Sequence, residues 1–307
     1  MVTALISHED GLGHITPEGH PEQVARLGAV LRAISDFALR REEAPLAGDD
    51  VLRLCHPQRY IDRISGALPK AGLARLDEDT WMSAGSLNAA RRAVGGILRA
   101  VDMVLDGEAG NAFCAMRPPG HHAERETPMG FCLFGTAALA ARYALERRGL
   151  SRVAVVDFDV HHGNGTQDLL WDEPHALFIG SHQMPLWPGS GAADETGGHD
   201  NVLNLPLPVG SGGSEMRELW EGALERLEAF APQLLIISAG FDAHRDDPLA
   251  QLNWDEADFT WITRALCDLA ARVCGGHVVS TLEGGYDLKA LGACVRAHVA
   301  ALMEAGA

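Results

Sequence analysis

The chain has 307 residues, of which 47% are hydrophobic, and a formal net charge of -17. That length and apolar content suit one large α/β domain; no Ser/Gly/Pro tract, long charge block or solenoid-length repeat interrupts it, so residues 1–307 are expected to form a single domain. So acidic a surface disfavours nucleic acid and anionic membranes as partners, no stretch reaches transmembrane length, and the first ten residues lack the basic start of a signal peptide.

Residues 2–7 predict a first strand, followed by a loop rich in Gly and His. Val24, Leu27, Val30, Leu31 and Ile34 recur at helical spacing and predict a helix over 22–37. A second helix is expected over 56–68, with Pro57 in its first turn. A third, long helix over 86–105 should end at Asp106-Gly107. Residues 112–117 then form a short strand running into Pro118-Pro119-Gly120-His121-His122. Next come a helix over 136–148 closed by Gly149, and strands at 153–158, 176–180 and 201–205. A helix over 214–230 has Ser214 as its expected N-cap. The apolar strand 234–240, a helix over 254–274, a strand at 277–282 and a helix over 287–304 complete the chain. Alternating strands and helices argue for a mostly parallel sheet flanked by helices on both faces. In such sheets the ligand site lies beyond the carboxyl ends of the strands. The six cysteines (55, 114, 132, 267, 274 and 294) have no CxxC spacing and suggest reduced thiols in a cytoplasmic protein.

Chemistry-bearing residues gather after four of these strands. The run Val153 to Gly165 leads from apolar residues into Asp157, Asp159, His161 and His162. On an extended chain Asp157, Asp159 and His161 would share one face, placing a carboxylate and an imidazole within reach of one metal ion. Asp242, after the strand 234–240, is the expected third ligand, with His244 its rival. Arg117-Pro-Pro-Gly-His121-His122 offers two imidazoles on a stiff loop, suited to proton transfer. Glu283-Gly284-Gly285-Tyr286 lets the backbone approach a ligand and leaves a phenol beside it.

Taken together and in this order, these segments resemble the histone deacetylase superfamily, bacterial acetyl-lysine deacetylase-like and acetylpolyamine amidohydrolase-like enzymes included. The resemblance extends from Gly19-His-Pro-Glu-Gln-Val-Ala-Arg-Leu27 through His56-Pro-Gln-Arg-Tyr60 to Glu283-Gly-Gly-Tyr286. The glutamate before the paired glycines is similar to the class II branch. The resemblance implies an arginase/deacetylase-like fold and a zinc amidohydrolase that removes acetyl groups from lysine side chains of proteins or peptides. Small acetylated amines such as acetylpolyamines are the alternative substrates.

The same resemblance implies roles for residues. Zn²⁺, with Fe²⁺ or Co²⁺ as alternatives, would sit on Asp159, His161 and Asp242. His122 would be general base and acid, His121 its electrostatic partner and Tyr286 the oxyanion donor. Asp157 would hold His121, and Asn164 would stand behind His122. Gly130, Phe131 and Trp187 would line an acyl-lysine tunnel. Asp79 would be the rim acid, with Asp77 competing. A structural K⁺ would lie near Asp157, Asp159, His161, Ser181 and His182. Gly135-Thr136 departs from a family pattern with two asparagines. The short segment between Tyr60 and Asp79 lacks the dimerising insertion of acetylpolyamine-type members. Two other readings compete: a non-catalytic acyl-lysine binding protein, which has no need of acid–base groups, and an arginase-like hydrolase, which would need a binuclear metal set. The sequence leaves the oligomeric state open.

Overall fold

Val153-Ala-Val-Val156 is apolar on both faces of an extended chain, so a strand built from it must be covered on both sides. In the computed structural model, which describes residues 1–306, it is. The strands are β1 (Thr3–Ser7), β2 (Arg40–Glu43), β3 (Ala74–Arg75), β4 (Trp81–Met82), β5 (Asn111–Cys114), β6 (Val153–Asp157), β7 (Ala176–Gln183), β8 (Val202–Leu207), β9 (Leu234–Ala239) and β10 (Val278–Leu282). The helices are α1 (Ala25–Ala33), α2 (Asp49–Leu52), α3 (Gln58–Gly66), α4 (Ser86–Leu105), α5 (Thr136–Glu146), α6 (Asn164–Leu170), α7 (Gly213–Phe230), α8 (Glu256–Val273) and α9 (Leu288–Gly306).

Eight strands form one parallel sheet in the order β2-β1-β5-β10-β9-β6-β7-β8; β3 and β4 form a separate antiparallel pair. Alternation along each strand feeds two cores. Val153, Val155, Leu234 and Ile236 join α3, α4 and α5 on one side, while Ala154, Val156, Leu235 and Ile237 join α1, α7, α8 and α9 on the other. The register levels the central strand ends: Asp157 lies opposite Ser238, and Leu282 opposite Ala239.

Several elements differ from expectation, each for a physical reason. Helix α1 is shorter than 22–37, because residues 22–24 form a turn that delivers Glu22 to buried arginines, and the Ser35 hydroxyl bonds the Arg32 carbonyl at the other end. Pro57 is the N-cap of α3, not part of its first turn. Ser214 is not the N-cap of α7. Glu215 takes the exposed amide of Gly212 at 2.9 Å, and the Ser214 hydroxyl bonds Glu215. Asp255 and Asp258 cap α8 reciprocally. Strand β2 reads Arg-Arg-Glu-Glu and carries no apolar alternation; it exists because β1 offers it a free edge. The six cysteines are unpaired and buried. Among the described residues no helix is long and apolar enough to cross a membrane.

Helix α4 packs so closely on the segment after β2 that a β-carbon on Gly95 would overlap the Pro45 carbonyl. Alanine is normally about 1 kcal/mol better than glycine inside a helix. Here the sign reverses: Gly95→Ala should destabilise by roughly 1–3 kcal/mol through overpacking. Denaturant unfolding checks this; a midpoint that is unchanged or raised contradicts the close approach.

Candidate active site

The four adjacent central strands β5, β10, β9 and β6 each release a chemistry-bearing segment at the same end of the sheet. His121 and His122 follow β5, Glu283 to Tyr286 follow β10, Asp242 follows β9, and Asp159 and His161 follow β6.

The alternation that the sequence suggested runs on past Asp157, where β6 ends: the Phe158 amide still bonds the Ser238 carbonyl of β9, and the chain first bends at Val160 and His161. The Asp159 amide donates to Asp157 Oδ1 at 3.0 Å, and the His161 amide to Asp159 Oδ1 at 2.9 Å. Phe158 and Val160 enter the same core as Ala154 and Val156. Asp242 Oδ1 accepts the Val160 amide at 3.0 Å, which ties the β9 loop to this turn. His161 Nδ1 then lies 3.2 Å from Asp159 Oδ1 and 3.1 Å from Asp242 Oδ2. Ligand atoms of Asp159, His161 and Asp242 all fall within 4.8 Å of one another, and all three residues are buried. His244 is not among them; its Nδ1 accepts the Asp246 amide.

The charges in this cluster conflict. Burial and the neighbouring Asp159 push Asp242 up to about 7. Burial would lower His161, but its hydrogen bonds to Asp159 and Asp242 raise it to about 10. Burial opposes ionisation of Asp159 too, yet His121 and His161 hold its carboxyl below the usual range. Two oxygen donors and one nitrogen donor, buried together and facing a pocket, are a set that suits a divalent cation with an open position.

The His121 and His122 rings are in contact, with centroids 3.8 Å apart and planes tilted by 39°. His121 Nδ1 donates to Asp157 Oδ2 at 3.0 Å, and its Nε2 is 3.7 Å from Asp159 Oδ2. Burial opposes its charge, but these two carboxylates outweigh burial and raise it well above the ordinary histidine value. His122 has the opposite environment. Burial lowers it, and His121 and His161 lower it further. Its Nδ1 pairs at 2.8 Å with Asn164 Oδ1, whose amide nitrogen is turned towards Glu124 Oε1 at 2.9 Å. That pairing assigns the proton to Nδ1 and leaves the His122 Nε2 lone pair free.

Tyr286 follows a glycine-rich turn braced from beneath. Arg26 donates to the carbonyls of Gly285 (2.7 Å) and Glu283 (2.5 Å), and its guanidinium lies 5.0 Å from the Tyr286 ring centre. Glu22 bonds both Arg26 and Arg117, all three fully buried. Two cations surround the one acid, and despite burial Arg117 holds Glu22 well below the carboxylate range. Arg117 also takes the carbonyls of Gly11 and His14. Glu283 Oε2 accepts the amides of Gly120 and His121, joining the tyrosine loop to the histidine loop. Sequence reasoning missed this bracing. Its only trace was that Arg26 and Arg117 are charged residues set among apolar ones.

A pocket of about 380 Å³ opens onto these groups, with His122, His161 and Tyr286 in its lining. Gly130, Phe131, Trp187 and Asp79 line it as the sequence suggested, and Leu186, Trp81, His20 and Leu249 do so unforeseen. Trp187 packs edge-on against His122 at 4.7 Å, and Phe131 against Tyr286 at 5.8 Å. Gly130 has φ +54°, and a β-carbon there would overlap both the His122 and Trp187 rings. Asp79 Oδ1 accepts the Gly130 amide, whereas Asp77 closes its own turn by accepting the Asp79 and Thr80 amides. Asp157 and Ser181 are buried, and the Ser181 hydroxyl has no protein partner. His182 Nε2 pairs with the Gly191 carbonyl at 2.9 Å, and its buried Nδ1, like the Ser181 hydroxyl, has no protein partner.

Comparison with known proteins agrees with this geometry. The histone deacetylase domain family matches residues 20–302. A histone deacetylase-like amidohydrolase of Pseudomonas aeruginosa is 41% identical over 273 residues, covering 87% of this chain and 72% of the relative. A probable deacetylase of Methanothermobacter thermautotrophicus is 40% identical, covering 94% and 87%. The crystal structure of the HDA15 HD domain superposes with a TM-score of 0.93 at 32% identity, over 99% of this chain and 89% of that one. The chain belongs to the histone deacetylase family, whose members are deacetylases and amidohydrolases, and it has that family's fold.

Proposed function

We propose that this chain is a metal-dependent amidohydrolase that removes acetyl groups from lysine side chains of proteins or peptides, with small acetylated amines as the competing substrate class. The observation that carries this reading is the meeting of Asp159, His161 and Asp242 beside the unequal pair His121 and His122, with His161 and His122 reaching the lining of one pocket.

Asp159, His161 and Asp242 would hold Zn²⁺, or Fe²⁺ or Co²⁺, since the donor types do not choose among them. When bound, such an ion supplies carbonyl polarisation and acidification of water. The protein's own groups do the rest. His122, with its Nε2 lone pair free, takes the proton from the attacking water and delivers it to the departing amine. His121, kept cationic by Asp157 and Asp159, lowers the basicity of His122 and favours negative charge on the reacting carbonyl. Tyr286 donates its hydroxyl to that oxyanion. Phe131 and Trp187 flank an aliphatic stem, the Gly130 carbonyl accepts the substrate N–H, and Asp79 grips substrate at the rim. The free Ser181 hydroxyl beside Asp157 supports a structural K⁺ held by Asp157, Asp159, His161, Ser181 and His182. For His182 the contribution would come through its backbone carbonyl, an oxygen donor of the kind a potassium ion takes, and not through the imidazole. Six buried thiols fit a reducing, cytoplasmic setting.

Side-by-side kcat/KM values on an acetyl-lysine peptide and on acetylspermidine separate the two substrate classes; the peptide should be preferred. Tyr286→Phe should lower kcat by about 10²–10³, and full activity in that variant overturns the oxyanion role. The pair His122–Asn164 makes a pH prediction. A carboxylate in place of the amide raises the His122 pKa, so the base is lost to protonation at higher pH. Glu124 already faces Asn164, so the charge is best moved forward in Asn164→Asp/Glu124→Gln. The acidic limb of the pH–rate profile should shift upward by about one unit; an unchanged limb contradicts His122 as the base.

A further inference from the structure

Asp247 is a buried acid in the loop that follows β9, five residues beyond Asp242. Among the described residues, no Lys, Arg or His lies within ion-pair distance of it. A lone buried carboxylate is costly unless backbone donors satisfy it. Both of its oxygens are so engaged, and the two donors come from different loops. Oδ1 accepts the Leu249 amide at 3.0 Å, and Oδ2 accepts the Tyr286 amide at 2.7 Å. Leu249 and Tyr286 are both in the pocket lining. The turn is held on either side of Tyr286 by other groups: Arg26 takes the carbonyls of Glu283 and Gly285, the Gly284 amide donates to Asp159, and Asp287 accepts the Lys289 and Ala290 amides, while Gly285 sits at φ +117°. The amide of Tyr286 itself is held by Asp247 alone among the hydrogen bonds of the described residues.

We infer that Asp247 is a positioning residue for the hydrolysis, a two-ended clamp that sets Tyr286 at the reacting carbonyl and Leu249 at the pocket wall. This rests on the hydrolase reading and on Tyr286 as oxyanion donor. The role needs two acceptor oxygens in one side chain. Asparagine has one, and its amide would turn an N–H towards one of the two backbone donors. A misplacement of about 1 Å at a reacting group can cost on the order of 10²-fold in rate.

The test is a double-mutant cycle on an acetyl-lysine peptide, using zinc-loaded full-length protein. Asp247→Asn should lower kcat by about 10- to 100-fold in the wild-type background, with KM little changed. In the Tyr286→Phe background it should lower kcat less than about twofold, because the hydroxyl it positions is already gone. Asp247→Ala, which also removes the buried charge, should show the same non-additivity, so either soluble variant decides. Zinc content by elemental analysis should match the wild type in both. Equal losses in the two backgrounds, no loss in the wild-type background, or loss of zinc each overturns the clamp. An inactive wild type overturns the hydrolase reading and the clamp with it; an active wild type with additive losses overturns the clamp alone.

Discussion

Two carboxylates that cannot comfortably share a buried site organise this protein. Asp159 and Asp242 come from different strands, both fully enclosed, and both face His161. Burial and the neighbouring Asp159 push Asp242 up to about 7 even though His161 lies between the two acids and works the other way. A cation relieves the conflict, and the surrounding chain is arranged to keep the conflict in place. The turn after β6 is fixed by amides donating to Asp157 and Asp159, and the β9 loop is tied to it through Val160 and Asp242.

The next layer extends the same electrostatics. Asp157 and Asp159 hold a positive His121; His121 and burial together keep His122 neutral. Two chemically identical side chains, adjacent in sequence, are thereby pushed in opposite directions by their surroundings. Behind them Glu283 joins the histidine loop to the tyrosine loop, and Glu22 with Arg26 and Arg117 braces both. These buried ions cost desolvation, and the network is complete enough to offset it: each guanidinium meets a carboxylate and backbone carbonyls at once.

Much of this was legible in the residue order. Strands with both faces buried show as apolar runs, so β6, β9 and β10 stood out, and the unusual residues just beyond them marked the site. That Asp79 lines the pocket where Asp77 does not, and that Asp242 joins Asp159 and His161 where His244 does not, needed coordinates, because each depends on which loop residue turns inward. Strand β2 was invisible because an edge strand of charged residues has no hydrophobic period. Alternation brought Asp159 and His161 together because Phe158 and Val160 carry the period-two pattern into the core beyond the last paired residue of β6; the side-chain acceptors that fix this segment, Asp157 and Asp159, leave no periodic sign. The bracing by Glu22, Arg26 and Arg117 joins residues far apart in sequence, and spacing alone carries no sign of it.

The central claim is that Asp159, His161 and Asp242 form one divalent-cation site. Elemental analysis of purified, dialysed protein beside Asp242→Ala tests it most directly. The account predicts about one divalent ion per wild-type chain and its loss in the variant, since three protein ligands are the usual minimum for a catalytic site. A wild-type chain that retains no divalent ion even after incubation with zinc, or a variant that binds it equally well, would contradict the account.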